Sequence, residues 1–307
     1  MGILDIQHIS KEIEGKKILH DINFSIEKHD FVALVGVSGA GKSTILSLIS
    51  GLDYISEGSI LFDGKTLEDP REQLIRGNEE IRVVKQDYDL YPHHRVYDIL
   101  ELPIRQLHDD EITERIAEML SFFDLEDYKY ELPKSLSGGM RQRLSIAHAM
   151  ITFPKLLLLD EPFSHLDAFT SMECLSYIKK LAKSYGTTVV YVTHETEYAL
   201  MYANKIMVVS DGEIIQKGTP QEVYQTPLNL EVAQLFSSAS SYKGEIIRPE
   251  NVDIVKFSNS KLLVISCLYL GENYLLTLSN NEEILYCKHK LFIDIGTEVF
   301  VKVIKKS

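Results

Sequence analysis

The feature that most constrains the fold is a glycine-rich stretch, Gly36-Val37-Ser38-Gly39-Ala40-Gly41-Lys42-Ser43-Thr44. It fits G-x-x-x-x-G-K-[ST], the pattern of a phosphate-binding loop. The apolar segment 30–35 before it is typical of a short strand, and segment 45–50 after it carries no helix breaker. By average composition, a chance match in a chain of this length has odds of roughly one in a hundred. The stretch therefore predicts nucleotide binding.

Each residue type in this loop suits one part of a triphosphate. Backbone N–H groups freed by the glycines, together with the following helix N-terminus, surround anionic oxygens. Lys42 is expected to reach the β- and γ-phosphates, Ser43 to ligate Mg²⁺, and Thr44 to donate to an α- or β-phosphate. The residues expected to contact the nucleotide are Gly36, Ser38, Gly39, Ala40, Gly41, Lys42, Ser43 and Thr44.

Composition narrows the setting in which the chain works. Its 307 residues fit one large domain with a smaller one, or two comparable domains. Its net charge of -13 disfavours a protein that neutralises nucleic-acid phosphates. Cys174, Cys267 and Cys287 lie far apart without a C-x-x-C pair, which is typical of buried thiols in a reducing compartment. No apolar run is long enough to cross a bilayer, and the N-terminus does not read as a secretory signal.

The order of apolar patterns predicts a parallel sheet covered by helices. Alternating residues from Leu4 to about Glu27 indicate antiparallel strands, whereas the continuous apolar segments 156–160 and 187–192 indicate buried parallel strands. Helical periodicity is present from Val96 to about Asp127 and again over 168–184. Predicted inward residues of these two helical segments are Ile112, Ile116, Met119, Leu120, Phe123, Met172, Leu175, Ile178 and Leu181.

Near residue 237 the pattern changes. The small residues 237–241 read as a linker, and beyond them short strands at close spacing predict a small all-β barrel or sandwich. We therefore divide the chain into a nucleotide-binding domain over 1–237, a linker over 238–242 and a β-domain over 243–307.

A second chemical motif is the apolar segment 156–159 followed by Asp160 and Glu161. A carboxylate at the end of a buried strand can hold Mg²⁺, and the next residue can orient an attacking water or act as general base. By itself the segment is also consistent with a strand capped by solvated acids. Together with the phosphate loop, it predicts Asp160 as a metal residue and Glu161 as the catalytic carboxylate.

A third motif, Leu136-Ser137-Gly138-Gly139-Met140, resembles the L-S-G-G-Q signature of the ATP-binding subunits of ABC transporters, with Met140 in place of Gln. The resemblance covers roughly residues 3–237. It implies an α/β P-loop NTPase fold with an antiparallel β-subdomain and a helical subdomain at about 87–150. It also implies that Ser137, Gly138 and Gly139 complete the ATP site of a second subunit in a head-to-tail dimer around two MgATP.

The same resemblance assigns further residues. Gln86 corresponds to a glutamine that ligates Mg²⁺ and takes part in catalysis, and His194 to the switch histidine that contacts the γ-phosphate. Segment 164–167 resembles the loop that crosses the dimer interface, with His165 as a departure. Catalytic residues are then Lys42, Gln86, Glu161 and His194, and metal residues are Ser43, Gln86 and Asp160.

Two stretches indicate which subgroup of ABC transporter subunits the chain resembles. Segments 218–236 and 246–252, the latter with an R-P-E sequence, resemble importer subunits that carry a C-terminal TOBE domain, an OB-like barrel. The family places an adenine-stacking aromatic residue where this chain has Ile13. The short barrel favours iron, sulfate-like anion or polyamine systems over sugar systems.

The sequence as a whole predicts the ATPase subunit of an importer. The resemblance implies a homodimer or a pair with a close paralogue, integral membrane permease subunits, an extracytoplasmic substrate-binding protein as an indirect partner, and a position on the cytoplasmic face of the membrane. Alternatives are a soluble ABC ATPase acting on DNA or the ribosome, disfavoured by the single phosphate loop and the acidity, and an exporter subunit.

An apolar, aromatic-rich set follows Gln86. Either these residues pack inside the helical subdomain, or some of them line a groove for a short cytoplasmic helix of the permease. The set is Tyr88, Leu90, Tyr91, Val96, Tyr97 and Leu100.

Overall fold

A computed structural model describes residues 2–74, 76–85, 90–163 and 166–304. The chain forms two compact units, Met1–Gln221 and Glu222–Ser307. Within the described residues, no helix has the length and apolar character that crossing a membrane requires.

The strands of the first unit are, in chain order, β1 (Leu4–Ile13), β2 (Lys16–Ile26), β3 (Phe31–Val35), β4 (Glu57–Phe62), β5 (Lys65–Thr66), β6 (Ile81–Val84), β7 (Leu156–Asp160), β8 (Thr188–Val192), β9 (Lys205–Ser210) and β10 (Glu213–Gly218). Its helices are α1 (Lys42–Ile49), α2 (Val96–Glu101), α3 (Asp109–Phe122), α4 (Gly138–Met150), α5 (Ala168–Tyr185) and α6 (Thr196–Tyr202). The predicted fold class, an α/β P-loop NTPase with an antiparallel β-subdomain, is confirmed.

Two sheets build this unit. An antiparallel sheet has the order β2-β1-β4-β5, and a larger sheet has the order β10-β9-β3-β8-β7-β6. In the larger sheet all neighbours are parallel except β9 and β10. One apolar cluster joins the two sheets. Strands β3, β7 and β8 are adjacent and parallel, so the loops after them meet at one edge, where α/β proteins bind their ligands.

The helical face predicted for α3 is buried as expected, including Phe123 just after it. On α5, Leu175, Ile178 and Leu181 are buried, but the prediction for Met172 was wrong because its side chain is 38% exposed. The buried face of α5 begins with Ser171 and Cys174, and Met172 follows Ser171 by one residue, about 100° around the helix, so it lies off that face.

The second unit begins earlier in the chain than predicted. It contains α7 from Glu222 onward and all of α8, and its strands are short and antiparallel. These elements are α7 (Pro220–Gln225), α8 (Leu230–Phe236), β11 (Ser240–Tyr242), β12 (Glu245–Ile247), β13 (Val252–Val255), β14 (Lys261–Tyr269), β15 (Tyr274–Ser279), β16 (Ile284–His289) and β17 (Glu298–Val303).

The segment expected to be a linker is structured. Ser240–Tyr242 is strand β11, which pairs with β12, and both Ala239 and Ser240 are buried. Small residues stand here because they pack against the β-domain, which composition alone does not distinguish from flexibility.

The β-domain sheet has the order β13-β17-β14-β15-β16. The thiol of Cys287 on β16 donates to the carbonyl of Val252, the first residue of β13, at 3.2 Å. Because this contact joins the two outermost strands, the sheet curls on itself, in agreement with the predicted small barrel.

Candidate active site

The glycine loop connects β3 to α1. Gly41 caps α1 with φ 98°, and Lys42 is the first helical residue. A methyl group added at Gly36 would lie 2.1 Å from the Val209 carbonyl oxygen on β9. Only glycine therefore fits at the start of the loop, and the close packing fixes the loop against the sheet.

The Lys42 ammonium lies inside this loop. Its Nζ donates to the carbonyls of Gly36 at 2.9 Å and Val37 at 2.8 Å, and the side chain is buried. Burial lowers the pKa of Lys42, and the charges of Glu161 and Asp160 partly oppose that effect. A partly desolvated cation with only neutral oxygens in hydrogen-bonding contact is a favourable position for an anion such as a phosphate.

Ser43, the residue after Lys42, joins the glycine loop to β7. The Ser43 hydroxyl donates to Oδ1 of Asp160 at 2.9 Å. Burial is the main effect on Asp160 and raises the pKa of its carboxyl; the Ser43 hydrogen bond and the Lys42 charge lower it, whereas the Glu161 charge raises it. A nearby cation would therefore stabilise the ionised carboxylate.

The donor set at this point fits Mg²⁺. Ser43 and Asp160 offer two oxygens, and hard cations prefer oxygen ligands. In the part of the chain that the structure describes, no group of three or more His, Cys, Asp or Glu residues could enclose a metal. Mg²⁺ usually binds through one or two protein oxygens, substrate phosphates and water, so the Ser43 and Asp160 oxygens match the protein part of such a site.

Glu161 and His194 face one another beside Asp160. His194 Nδ1 lies 3.6 Å from Oε2 of Glu161, and both side chains are partly exposed. Glu161 has φ 45°, a left-handed conformation that is uncommon for residues other than glycine and clusters at functional sites. Thr193, before His194, is anchored because its N–H donates to the Leu34 carbonyl on β3 at 3.2 Å.

The signature segment starts α4. The Ser137 hydroxyl accepts from the N–H of Met140 at 3.2 Å and so caps the helix, with Gly138 and Gly139 in its first turn. Arg141 Nη1 donates to the Leu136 carbonyl at 2.7 Å and fixes the turn from the other side. The contribution of Ser137, Gly138 and Gly139 to a partner's site stays a prediction.

Not every predicted residue can be placed. Gln86, Tyr88, Ser164 and His165 lie outside the described residues. Ile13 ends β1, pairs with Lys16 in a hairpin and is 46% exposed, so its side chain is accessible to a base; stacking there stays a prediction.

The structure adds a residue that the motifs did not indicate. Gly212, in the turn between β9 and β10, donates its N–H to the carbonyl of Ala40 in the glycine loop at 3.2 Å and accepts from the N–H of His20 at 2.9 Å. It therefore ties the loop to β2. The sequence signal was the Asp211-Gly212 pair between two apolar strands. Such a pair predicts a hairpin, but it does not indicate that the hairpin contacts the glycine loop.

Comparisons with known proteins agree with this geometry. A sequence model of the ABC transporter family matches residues 19–164. The spermidine/putrescine import ATP-binding protein PotA of Clostridium novyi is 38% identical, covering 82% of this chain and 72% of that protein. The PotA protein of Clostridioides difficile is 32% identical and covers 97% of this chain and 94% of that protein.

Solved structures show the same fold. cbiO1 from Clostridium perfringens, part of the ABC transporter complex cbiONQ, superposes with a TM-score of 0.68 at 30% identity over 73% of this chain and 91% of that one. A dimeric ATP-binding cassette in a post-hydrolysis state with ADP and Pi has a TM-score of 0.63 at 29% identity, over 71% of this chain and 98% of that one.

These relatives exclude the alternative of a soluble ATPase acting on DNA or the ribosome. The chain belongs to the ABC transporter family, in which it is an ATP-binding and ATP-hydrolysing subunit of an importer.

Proposed function

We propose that two copies of the chain, or one copy and a close paralogue, close head-to-tail around two MgATP and thereby drive a polyamine importer. The observation that carries this proposal is the arrangement of a buried ammonium, a hydroxyl–carboxylate pair and a carboxylate–imidazole pair at one sheet edge, formed by Lys42, Ser43, Asp160, Glu161 and His194.

In this proposal, each residue has a role in ATP binding or hydrolysis that suits the chemistry of its side chain. Lys42 neutralises phosphate oxygens inside the glycine loop, and the backbone N–H groups of that loop hold the rest of the triphosphate. Ser43 and Asp160, with Gln86, would hold Mg²⁺, which neutralises charge on the phosphates when bound. Glu161 orients the attacking water or accepts its proton, and His194 contacts the γ-phosphate and keeps Glu161 in position.

The experiment is a comparison of Glu161→Gln with Glu195→Gln, a nearby acidic residue outside this chemistry. Glu161→Gln should bind MgATP with near wild-type affinity, hydrolyse it at least about 100-fold more slowly, and form a stable dimer in ATP. Glu195→Gln should hydrolyse normally. Near wild-type turnover by Glu161→Gln would remove Glu161 from the catalytic role.

The cargo proposal rests on the relatives, which are named for spermidine and putrescine import. The ATPase subunit does not need to contact the cargo. Uptake of labelled spermidine by cells that carry the complete transporter, measured against iron and sulfate uptake, tests this proposal. Uptake of another solute that depends on this chain, without any effect on spermidine, would contradict it.

The permease contact has a candidate groove of about 580 Å³, which is lined by Leu90 and Tyr91 together with Arg82, Lys85 and His148. We propose that this groove receives a cytoplasmic helix of the permease and so holds the subunit at the cytoplasmic face, with the substrate-binding protein acting on the far side. Of the remaining predicted set, Val96 and Leu100 are fully buried, and the Lys129 ammonium lies 4.8 Å from the ring centroid of Tyr97.

Tyr91 is an exposed tyrosine that lines this groove, so the test substitutes Tyr91. Tyr91→Ala should uncouple transport while basal ATPase activity persists. Tyr128→Ala removes another exposed tyrosine that does not line the groove and serves as the control. Normal transport by Tyr91→Ala would argue against this docking site.

A further inference from the structure

Lys11 is a buried cation on strand β1, with a side chain that is 2% exposed. Its ammonium donates to Oδ1 of Asp53 and to the carbonyl of Tyr54, both at 2.8 Å, and lies 3.5 Å from the centroid of the Tyr54 ring. The guanidinium of Arg71 lies 4.2 Å from the same centroid and restrains the ring. A buried charge is tolerated only when it is paired and hydrogen-bonded, so these contacts fix β1 to the segment that contains Asp53 and Tyr54.

That segment is attached in turn to helix α1. The N–H groups of Leu52 and Asp53 both donate to the carbonyl of Ser47, at 3.1 Å and 3.3 Å. Ser47 lies in α1, and the first residue of this helix is Lys42 of the glycine loop. A short helix is rigid along its axis, so one end of α1 holds the phosphate loop and the other end holds Lys11.

Two backbone hydrogen bonds on either side of Lys11 strengthen the attachment. The N–H of Ser56 donates to the carbonyl of Ser10 at 2.9 Å, and the N–H of Glu12 donates to Oγ of Ser56 at 3.0 Å. Residues 10–12 are therefore attached to segment 52–56 at three consecutive positions.

The β1–β2 hairpin also lies against the glycine loop. Lys11 is opposite Leu19 in the strand pairing, and Ile13 is opposite Lys16 at the end of the hairpin. A methyl group added at Gly41 would lie 2.6 Å from Cδ2 of Leu19. The hairpin thus contacts the loop at the level of Lys11, and Ile13 lies about 7 Å further along the strand, at about 3.3 Å per residue.

We propose that Lys11 is a positioning residue for nucleotide binding, which sets the distance between Ile13 and the phosphate loop without contacting ATP itself. The inference rests on the proposed function and on the expected contact of Ile13 with adenine. A nucleotide is held at two ends, and the contact with the base contributes fully only when the hairpin and the loop are correctly spaced.

The test compares a ligand that has a base with one that has none. Titration calorimetry of the full chain would measure the affinity for MgATP and for magnesium tripolyphosphate. Lys11→Met keeps the apolar stem and removes the ammonium, and Asp53, which is 35% exposed, can then be hydrated. The variant should bind MgATP at least about threefold more weakly, because apolar contact with the base is lost, and should bind tripolyphosphate like the wild type.

Turnover provides a second readout. Because the phosphate and metal residues are not displaced, Lys11→Met should raise KM for ATP and leave kcat at saturating MgATP unchanged. Lys205→Met is the matched control. It breaks an ion pair with Asp30 of 2.7 Å at the start of β9, at the opposite edge of the sheet from the glycine loop, and should leave both affinities unchanged.

Two results would overturn the role of Lys11. One is an unchanged affinity for MgATP in Lys11→Met, and the other is an equal loss of affinity for both ligands, which indicates a general structural role. Asp53→Asn removes the charge of the pair and keeps an oxygen acceptor, so it should show the same selective loss at smaller size even where Lys11→Met folds poorly.

Ile13→Ser separates this inference from the base contact on which it rests. It should weaken MgATP binding and leave tripolyphosphate binding unchanged. An unchanged MgATP affinity in Ile13→Ser would overturn the placement of adenine at Ile13, and the role of Lys11 with it. A selective loss in Ile13→Ser without one in Lys11→Met would overturn the role of Lys11 alone.

Discussion

Gly212 provides the sharpest test of how the phosphate loop is supported. Gly212→Ala introduces a methyl group 2.2 Å from the Ile18 carbonyl oxygen and 2.9 Å from Cδ2 of His20. The first neighbour is backbone and cannot rotate away. The turn must therefore shift, and the hydrogen bond from Gly212 to Ala40 in the phosphate loop shifts with it.

The expected loss of unfolding free energy in Gly212→Ala has two parts, backbone strain and the contacts of the new methyl group. Gly15→Ala separates the two, because it has similar strain without close contacts. Gly212 has φ 75° and Gly15 has φ 78°, so alanine is similarly strained at both positions, by about 1–2 kcal/mol. At Gly15 the new methyl group meets only Oε1 of Glu12, at 4.0 Å. At Gly212, overpacking adds about 1–3 kcal/mol and the weakened hydrogen bond about 1 kcal/mol.

We therefore expect Gly212→Ala to reduce the free energy of unfolding by about 2–4 kcal/mol more than Gly15→Ala, measured by urea denaturation. Because the disturbed hydrogen bond ends on the phosphate loop, MgATP affinity should fall by about fivefold, corresponding to about 1 kcal/mol. Calorimetric titration measures it. Equal destabilisation by the two variants, or unchanged affinity in a destabilised Gly212→Ala, would refute the reasoning.

Three further predictions concern other parts of the molecule. Ile13→Tyr should strengthen ATP binding by up to about 1–3 kcal/mol through base stacking; unchanged affinity by calorimetry would place the adenine elsewhere. Hydrogen bonds from Lys28 and then Lys155 lower the pKa of Asp63 to about 2. The stability of the wild type relative to Asp63→Asn should therefore be constant above about pH 5 and be lost progressively as the pH falls toward about 2. A Tm difference between the two proteins that does not change with pH would contradict it. Arg248→Met should destabilise the second unit by about 1–3 kcal/mol, because the carbonyls of Tyr224 and Ala233 lose their donor; a denaturation curve of the whole chain that matches the wild type would contradict it.

The positions of the motif residues could be predicted because these residues lie in short local motifs, whereas their chemical roles stay predictions. A strand, a tight turn and a helix start place Lys42 and Ser43, and a strand end places Asp160 and Glu161. Adjacent parallel strands bring such ends together whatever the rest of the chain does. His194 follows the same rule at the end of β8.

The contacts behind these motifs were not predictable. Gly212 contacts Ala40 across a long sequence separation, and nothing in the local sequence around either residue indicates the other. Similarly, an aromatic pattern after residue 86 could not distinguish Tyr91, which lines a groove, from the buried Val96. Such distinctions depend on which surface of the helical region remains uncovered, and that is a tertiary property.

The buried charge of Arg248 explains why the second unit includes α7 and α8, which composition alone did not indicate. Arg248 is 5% exposed and donates to the carbonyls of Tyr224, twice, and Ala233, and to the Ser237 hydroxyl. Its guanidinium also lies 3.8 Å from the centroid of the Tyr224 ring. Burial of a cation is tolerated only when its donors are satisfied, so α7 and α8 supply what this arginine of the β-domain requires. A truncation at Ser238 would leave those carbonyls without their donor, and a cut near Gln221 follows the boundary that the contacts define.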